Sequence, residues 1–240
     1  MLRERLERLP NNSTLIVSPI GTLSRDQILY QHKEIRNRII GIRVVLCISD
    51  VGVALPILAS LDGSAEAIML TSPSTLPVSI VSLALRGGFE AILCDDPRLF
   101  EEIEGAPTAF QNIETLANSF LPREKLAETQ WVIQTSGTSG EPKLVSHSLA
   151  SLTRTTKDNP ERGSFVHWGM LFDYTRFAGL QVLLQSIFAG SLLIATNPND
   201  SIEQKLTTFI DQGCTHLSAT PTLWRKIVMT TFAQKLQLRH

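Results

Sequence analysis

Short apolar runs of β type alternate with helix-type runs along the first ninety or so residues, and that rhythm restricts what the chain can become. The β-type runs are Thr14 to Ser18, Arg43 to Ser49, Ala65 to Thr71 and Glu90 to Cys94. They are nearly continuous in apolar residues, as strands covered on both faces must be. Between them, Ser24 to Ile40 opens on Ser24-x-x-Gln27, a capping-box pattern. It carries Ile28, Ile35 and Ile39 on one helical face. Gly52 to Leu61 and Val78 to Arg86 read as helices, the second ended by Gly87-Gly88. Alternation of this kind predicts an α/β chain with largely parallel sheets and flanking helices.

Residues Asp95 to Thr129 break the rhythm. Pro97, Pro107 and Pro122 fall there, with Asp95, Asp96, Glu101, Glu102 and Glu104. The composition predicts a surface connection with a short helix near Asn112 to Phe120, and a lobe boundary. The expected organisation is a first α/β lobe over 1–94, a connecting segment over 95–129 and a second lobe over 130–240. In that second lobe Gln130 to Gln134 reads as a strand and Lys143 to Ser146 as extended, with Ser148 capping a helix to about Lys157. Phe165 to Leu171, Ser191 to Thr196 and His216 to Ala219 read as strands. Thr175 to Phe188 is helical, and Asp200 is expected to cap the helix carrying Ile202, Leu206, Phe209 and Ile210. Thr220-Pro221 sets a cap before a proline at the first helical position.

Charge narrows the class. A net charge of −1, 43% hydrophobic residues and 19% charged residues describe a globular chain. They leave no basic footprint for nucleic acid or an anionic membrane. The most apolar stretch, Phe177 to Ala195, contains Gln181 and Gln185 and is divided at Ala189-Gly190-Ser191, so no membrane span is expected. The charged opening MLRERLERLP lacks the apolar core of a secretory signal, and its Arg/Glu run reads as an exposed helical face. Cys47, Cys94 and Cys214 are dispersed within or beside apolar runs, which predicts buried thiols and no metal site. A soluble, reduced, cytoplasmic protein is the expectation.

The chemistry concentrates in Thr135-Ser136-Gly137-Thr138-Ser139-Gly140-Glu141-Pro142-Lys143, which follows an apolar strand. Two glycines permit a tight path with exposed N–H groups, an anion nest. Four hydroxyl residues add small donors, Lys143 adds a point charge suited to phosphate, and Pro142 stiffens the exit. By composition alone this is an ordinary Ser/Gly loop. The order, with Pro-Lys closing the loop after a strand, favours a polyphosphate grip. Three rivals fail. The chain has no Gly-Lys pair for a GxxxxGK[ST] loop, no GxGxxG, and no GxSxG around Ser139.

The segment TSGTSGEPK resembles the phosphate-loop signature of the adenylate-forming superfamily, to which acyl-CoA synthetases belong, whose usual text is close to TSGTTGxPKG. Ser139 keeps the hydroxyl of the family's threonine, and Leu144 replaces the final glycine. Weaker likenesses run along the chain. They are Gly21-Thr22-Leu23-Ser24 before a helix, the strand–helix–strand core through Thr71, and Lys143-Leu144-Val145-Ser146-His147. Phe177-Ala178-Gly179-Leu180-Gln181 is similar to the helix bordering the acyl pocket, and Ser218-Ala219-Thr220-Pro221-Thr222 to a later strand-to-helix turn.

The resemblance implies part of the family's N-terminal domain, and a reaction in which a carboxylate attacks the α-phosphorus of ATP to give an acyl-adenylate. A thiol, that of coenzyme A or of a carrier protein, then takes the acyl group. It implies that Thr135, Ser136, Thr138, Ser139 and Lys143 hold the β- and γ-phosphates, with Thr138 and Lys143 acting in catalysis. Gly137 and Gly140 would let the backbone approach. Tyr174, Arg176, Phe177 and Gly179 would border the acid substrate. Two readings stay open for that group: substrate contact, or a loop that caps a helix beside plain aromatic core. His147 is open between site and cap.

The family's YGxTE-type motif, its ribose-binding aspartate and the C-terminal domain with its lysine have no counterpart in these 240 residues. The ligand for Mg2+ is therefore expected outside this chain. Two functions follow as expectations: an acid–thiol ligase represented by its front part, or an incomplete nucleotide-binding fragment that needs a complementary chain or a homodimer. A generic phosphotransferase is the third.

Overall fold

In the computed structural model the described residues are 1–124, 128–135, 142–157 and 160–239. They group into two compact units. The first comprises Met1–Glu4, Ile28–Ser49 and Val53–Leu152; the second comprises Arg5–Gln27, Asp50–Gly52 and Thr153–His240. The described strands are, in chain order, β1 (Thr14–Ser18), β2 (Gly21–Ser24), β3 (Arg43–Cys47), β4 (Ala67–Leu70), β5 (Ala91–Cys94), β6 (Thr108–Phe110), β7 (Gln130–Thr135), β8 (Lys143–His147), β9 (His167–Gly169), β10 (Leu192–Ile194) and β11 (His216–Leu217).

The first unit is built on a sheet of order β6-β5-β3-β4-β7-β8. Every neighbouring pair is parallel except β7 and β8. The apolar runs read from the sequence are its central strands. Val45, Met69, Ile92 and Val132 pack on one face against Ile80, Val81, Leu83 and Ala84 of the helix Pro77–Arg86. Each such fully buried aliphatic side chain contributes about 1.5–3 kcal/mol relative to exposure. The buried carboxylate of Asp62 accepts from the Trp131 indole at 3.0 Å and from the Leu2 amide at 2.7 Å. At the amino edge Arg43 reaches Glu66 at 2.6 Å, and Arg123 grips Glu90 at 2.6 and 2.9 Å. The Arg123–Glu90 pair ties the connecting segment to the start of β5.

Residues 95–129 do more than connect. Asp96 caps a 3-10 turn, Pro97–Phe100, β6 extends the sheet, and Asn112 caps the helix Ile113–Ser119. The sheet does not divide at residue 95, because β7 pairs with β4 and buries Trp131, Val132 and Ile133.

The second unit holds a sheet of order β11-β9-β10-β1-β2, parallel apart from β1–β2. Its core joins Leu171, Ile194, Leu206, Phe209, Leu217 and Ile227. The helix Phe177–Ala189 ends at Gly190, whose φ of +66° is a left-handed cap. Thr220 caps the helix Pro221–Val228 as the sequence predicts.

Several expectations need correction. The capping box at Ser24 and Gln27 forms, but the helix stops at Tyr30. His32 turns left-handed at φ 61°, and a 3-10 turn, Lys33–Arg38, follows. Ile28, Ile35 and Ile39 are buried all the same. The helix Ile202–Asp211 is capped by Ser201 in a box with Gln204, while Asp200 accepts from the Asn197 amide. The helix after Ser148 spans only Leu149–Leu152. The N-terminal helix Leu2–Glu7 is not a plain exposed face, since Arg5 is 6% exposed and donates to the Phe188 carbonyl. All three cysteines are buried and free. Among the described residues no helix is long and apolar enough to cross a membrane.

Candidate functional site

Because β3 to β7 are parallel, their carboxyl ends share one edge of the first sheet. Ligands of α/β sheets bind along such an edge. Polar residues collect there. The Gln134 amide donates to the buried Thr71 hydroxyl, joining the ends of β4 and β7. Ser72 and Ser74 share a hydrogen bond at 2.9 Å, and Asp95 accepts from the Ser49 amide at 2.9 Å.

The phosphate-loop candidate leaves from this edge. Thr135 ends β7 and Lys143 begins β8, and the two are register partners across the antiparallel pair. Both side chains are exposed. Cross-strand partners point to one side of a sheet, so Thr135 and Lys143 share a face. Gln134 and Leu144 form the next pair and share the other. Leu144 turns to the core and packs on the Val132 cluster. Ser136, Gly137, Thr138, Ser139 and Gly140 lie outside the described residues.

The substrate candidates belong to the second unit, where β9 leads at its carboxyl end into Asp173–Arg176. Asp173 organises that turn. Its Oδ1 accepts from the Thr175 amide at 2.9 Å and the Thr175 hydroxyl at 2.7 Å, and its carbonyl accepts from the Arg176 amide at 3.0 Å. Arg176 is the exposed N-cap residue of the helix that follows, without a side-chain cap bond. Tyr174 is 2% exposed and Phe177 51%. Gly179 is buried, and a Cβ there would stand 2.1 Å from the Asp173 carbonyl oxygen. The glycine is required by the backbone that crosses it.

Three of the described histidines are engaged with their surroundings. His147 pairs with Trp131 in register and is half-buried. His167 lies 3.1 Å from the Gly213 carbonyl. His216 packs on Trp168 at 5.2 Å between centroids and lies 2.8 Å from the Thr215 hydroxyl.

Sequence reasoning missed three residues. Thr71 and Gln134 were legible only as polar residues closing apolar strands. Lys205 carried no signal. It is half-buried, and burial lowers its pKa while Asp200 and Asp173 oppose that shift. Among the described residues no three His, Cys, Asp or Glu side chains gather to hold a metal.

The family model described as AMP-binding enzyme matches residues 63–240. Among solved structures, the N-terminal subdomain of Klebsiella oxytoca NpsA bound to 3-hydroxybenzoyl-AMSN superposes with a TM-score of 0.78 at 15% identity, over 98% of this chain and 62% of that one. The o-succinylbenzoate CoA synthetase MenE of Bacillus subtilis, bound to the acyl-adenylate intermediate OSB-AMP, gives 0.72 at 14%, over 96% and 64%. The same enzyme with ATP and magnesium ion gives 0.71 at 14%, over 95% and 65%. The chain thus spans under two thirds of these relatives. At such identities the likeness establishes the fold. No curated protein matches the chain in sequence.

Proposed function

The chain belongs to the AMP-binding enzyme family, and from that premise we propose that it takes part in activating a carboxylic acid with ATP. A carboxylate oxygen attacks the α-phosphorus, the bond from that phosphorus to the bridging oxygen breaks, and pyrophosphate leaves. The acid is then an acyl-adenylate. A thiol, most simply that of coenzyme A, attacks its carbonyl carbon and AMP departs.

The observation that carries this reading is the register pairing of Thr135 with Lys143. It holds the two ends of the TSGTSGEPK loop on one face at the carboxyl edge of a parallel sheet. In this proposal the hydroxyl of Thr135 donates to a phosphate oxygen, and the Lys143 ammonium neutralises charge that grows on the departing pyrophosphate. Ser136, Thr138 and Ser139 add hydroxyl donors, and Gly137 and Gly140 admit the backbone. Arg176 and Phe177, exposed at the carboxyl side of the second sheet, are proposed to meet the acid, with Tyr174 and Gly179 shaping the turn behind them. Magnesium is expected to accompany the triphosphate.

A second reading is nucleotide binding without turnover, which the exposed, register-paired Thr135 and Lys143 would support by themselves. The 240 residues would then bind nucleotide and need a complementary chain for turnover. Exchange of labelled pyrophosphate into ATP across a panel of carboxylic acids separates the two. Exchange dependent on one acid supports activation by the chain itself. Binding of ATP without exchange for any acid refutes it and leaves the binding role.

A further inference from the structure

The exit of the phosphate-loop candidate is fastened to the end of a neighbouring helix. Arg86 is the last residue of the helix Pro77–Arg86, and its guanidinium donates to the Pro142 carbonyl at 2.7 Å. That carbonyl belongs to the peptide whose N–H is Lys143's. A second contact, independent of the first, lies one residue further along. A Cβ at Gly87 would meet the Phe89 ring at 2.5 Å and the Leu144 Cδ1 at 3.1 Å. Gly87 therefore leaves room for Leu144 to seat on the core below it. The Arg86–Gly87 corner grips the chain on both sides of Lys143, at the carbonyl before it and the side chain after it.

We propose that Arg86 is a positioning residue for Lys143. By holding the Pro142–Lys143 peptide it fixes the backbone from which the ammonium reaches phosphate. A cation at a helix carboxyl terminus is favoured there by the helix dipole. A hydrogen bond from a charged donor is stronger than one between neutral groups. An unheld Lys143 would lose part of its affinity to the entropy of ordering its own backbone on binding. The inference rests on the phosphate-loop reading above.

The test is ATP titration by calorimetry of the 240-residue chain, in the wild type and in Arg86→Met, Arg86→Lys, Lys143→Ala and the double variant Arg86→Met/Lys143→Ala. Met keeps the apolar stem and removes the donor, whereas Lys restores one donor. Arg86→Met is expected to weaken ATP about fivefold, in line with one charge-assisted bond near the surface. Arg86→Lys should recover most of that loss. In the Lys143→Ala background Arg86→Met should change affinity less than twofold, because its effect passes through Lys143. An unchanged Kd in Arg86→Met, or the same fivefold loss without Lys143, overturns the positioning role while the phosphate-loop reading survives. A wild-type chain that binds no ATP overturns both.

Discussion

Replacing Gly179 with alanine tests the account of the turn at Asp173 because two opposed effects differ in sign. Within a helix, glycine to alanine stabilises by about 1 kcal/mol. Gly179 lies in the third position of the helix Phe177–Ala189, so propensity alone predicts a gain. Sterics predict a loss. The new Cβ would stand 2.1 Å from the Asp173 oxygen, 2.5 Å from its carbonyl carbon and 2.9 Å from the Phe172 oxygen. All three are backbone atoms, so no side chain can swing away. Overpacking of this kind costs about 1–3 kcal/mol. Relief by moving the turn would break bonds from Thr175 and Arg176 to Asp173, at about 1 kcal/mol each. The net expectation is a loss of about 2 kcal/mol, seen as a melting midpoint about 4–8 °C lower. Trp168 and Trp224 lie in the same unit and report by fluorescence. A midpoint equal to or above the wild type would refute the reasoning.

Two further outcomes are expected. Asp62→Ala leaves the Trp131 indole and the Leu2 amide without their buried acceptor, and should cost about 3 kcal/mol in urea unfolding; a loss under 1 kcal/mol would contradict the network. Burial pushes the Cys94 thiol up to about 12, with Asp95 adding to it, and the Cys214 thiol up to about 11. The folded state then keeps protons that the unfolded chain gives up near 9.0. Stability from this source is fully present below pH 9.0 and is lost as pH rises from there towards 11 and 12. The native protein should resist an aromatic disulfide reagent at pH 8 and unfold more readily at pH 10. Rapid native labelling at pH 8 would disprove the burial.

What the sequence made legible was local. Thr220-Pro221 and Ser24-x-x-Gln27 cap what they were expected to cap, because each bond closes within three residues. The apolar runs at Val44–Leu46 and Ala91–Leu93 are strands buried on both faces. What stayed hidden was decided at a distance. Nothing in Thr14–Ser18 says that it pairs with Leu192–Ile194, nor in Gln130–Thr135 that it joins the sheet of the first lobe. Arg5 looked solvated because its acceptor, the Phe188 carbonyl, lies far along the chain. Ser201 prevailed over Asp200 as a cap because Gln204 sits three residues after it and completes the box. For the site, the phosphate-loop text was plain in the sequence. The pairing of Thr135 with Lys143 and the grip of Arg86 on Pro142 required the fold.

The central claim is that Thr135 to Lys143 binds the phosphates of ATP. Its most direct test is calorimetric titration of ATP into the 240-residue chain and into its Lys143→Ala variant. Lys143 is exposed, so the variant should fold and melt as the wild type does. Saturable binding by the wild type, weakened about tenfold in Lys143→Ala, is the predicted result, in keeping with a loss of about 1.4 kcal/mol from one ammonium–phosphate contact. Superimposable isotherms for the two proteins would contradict it.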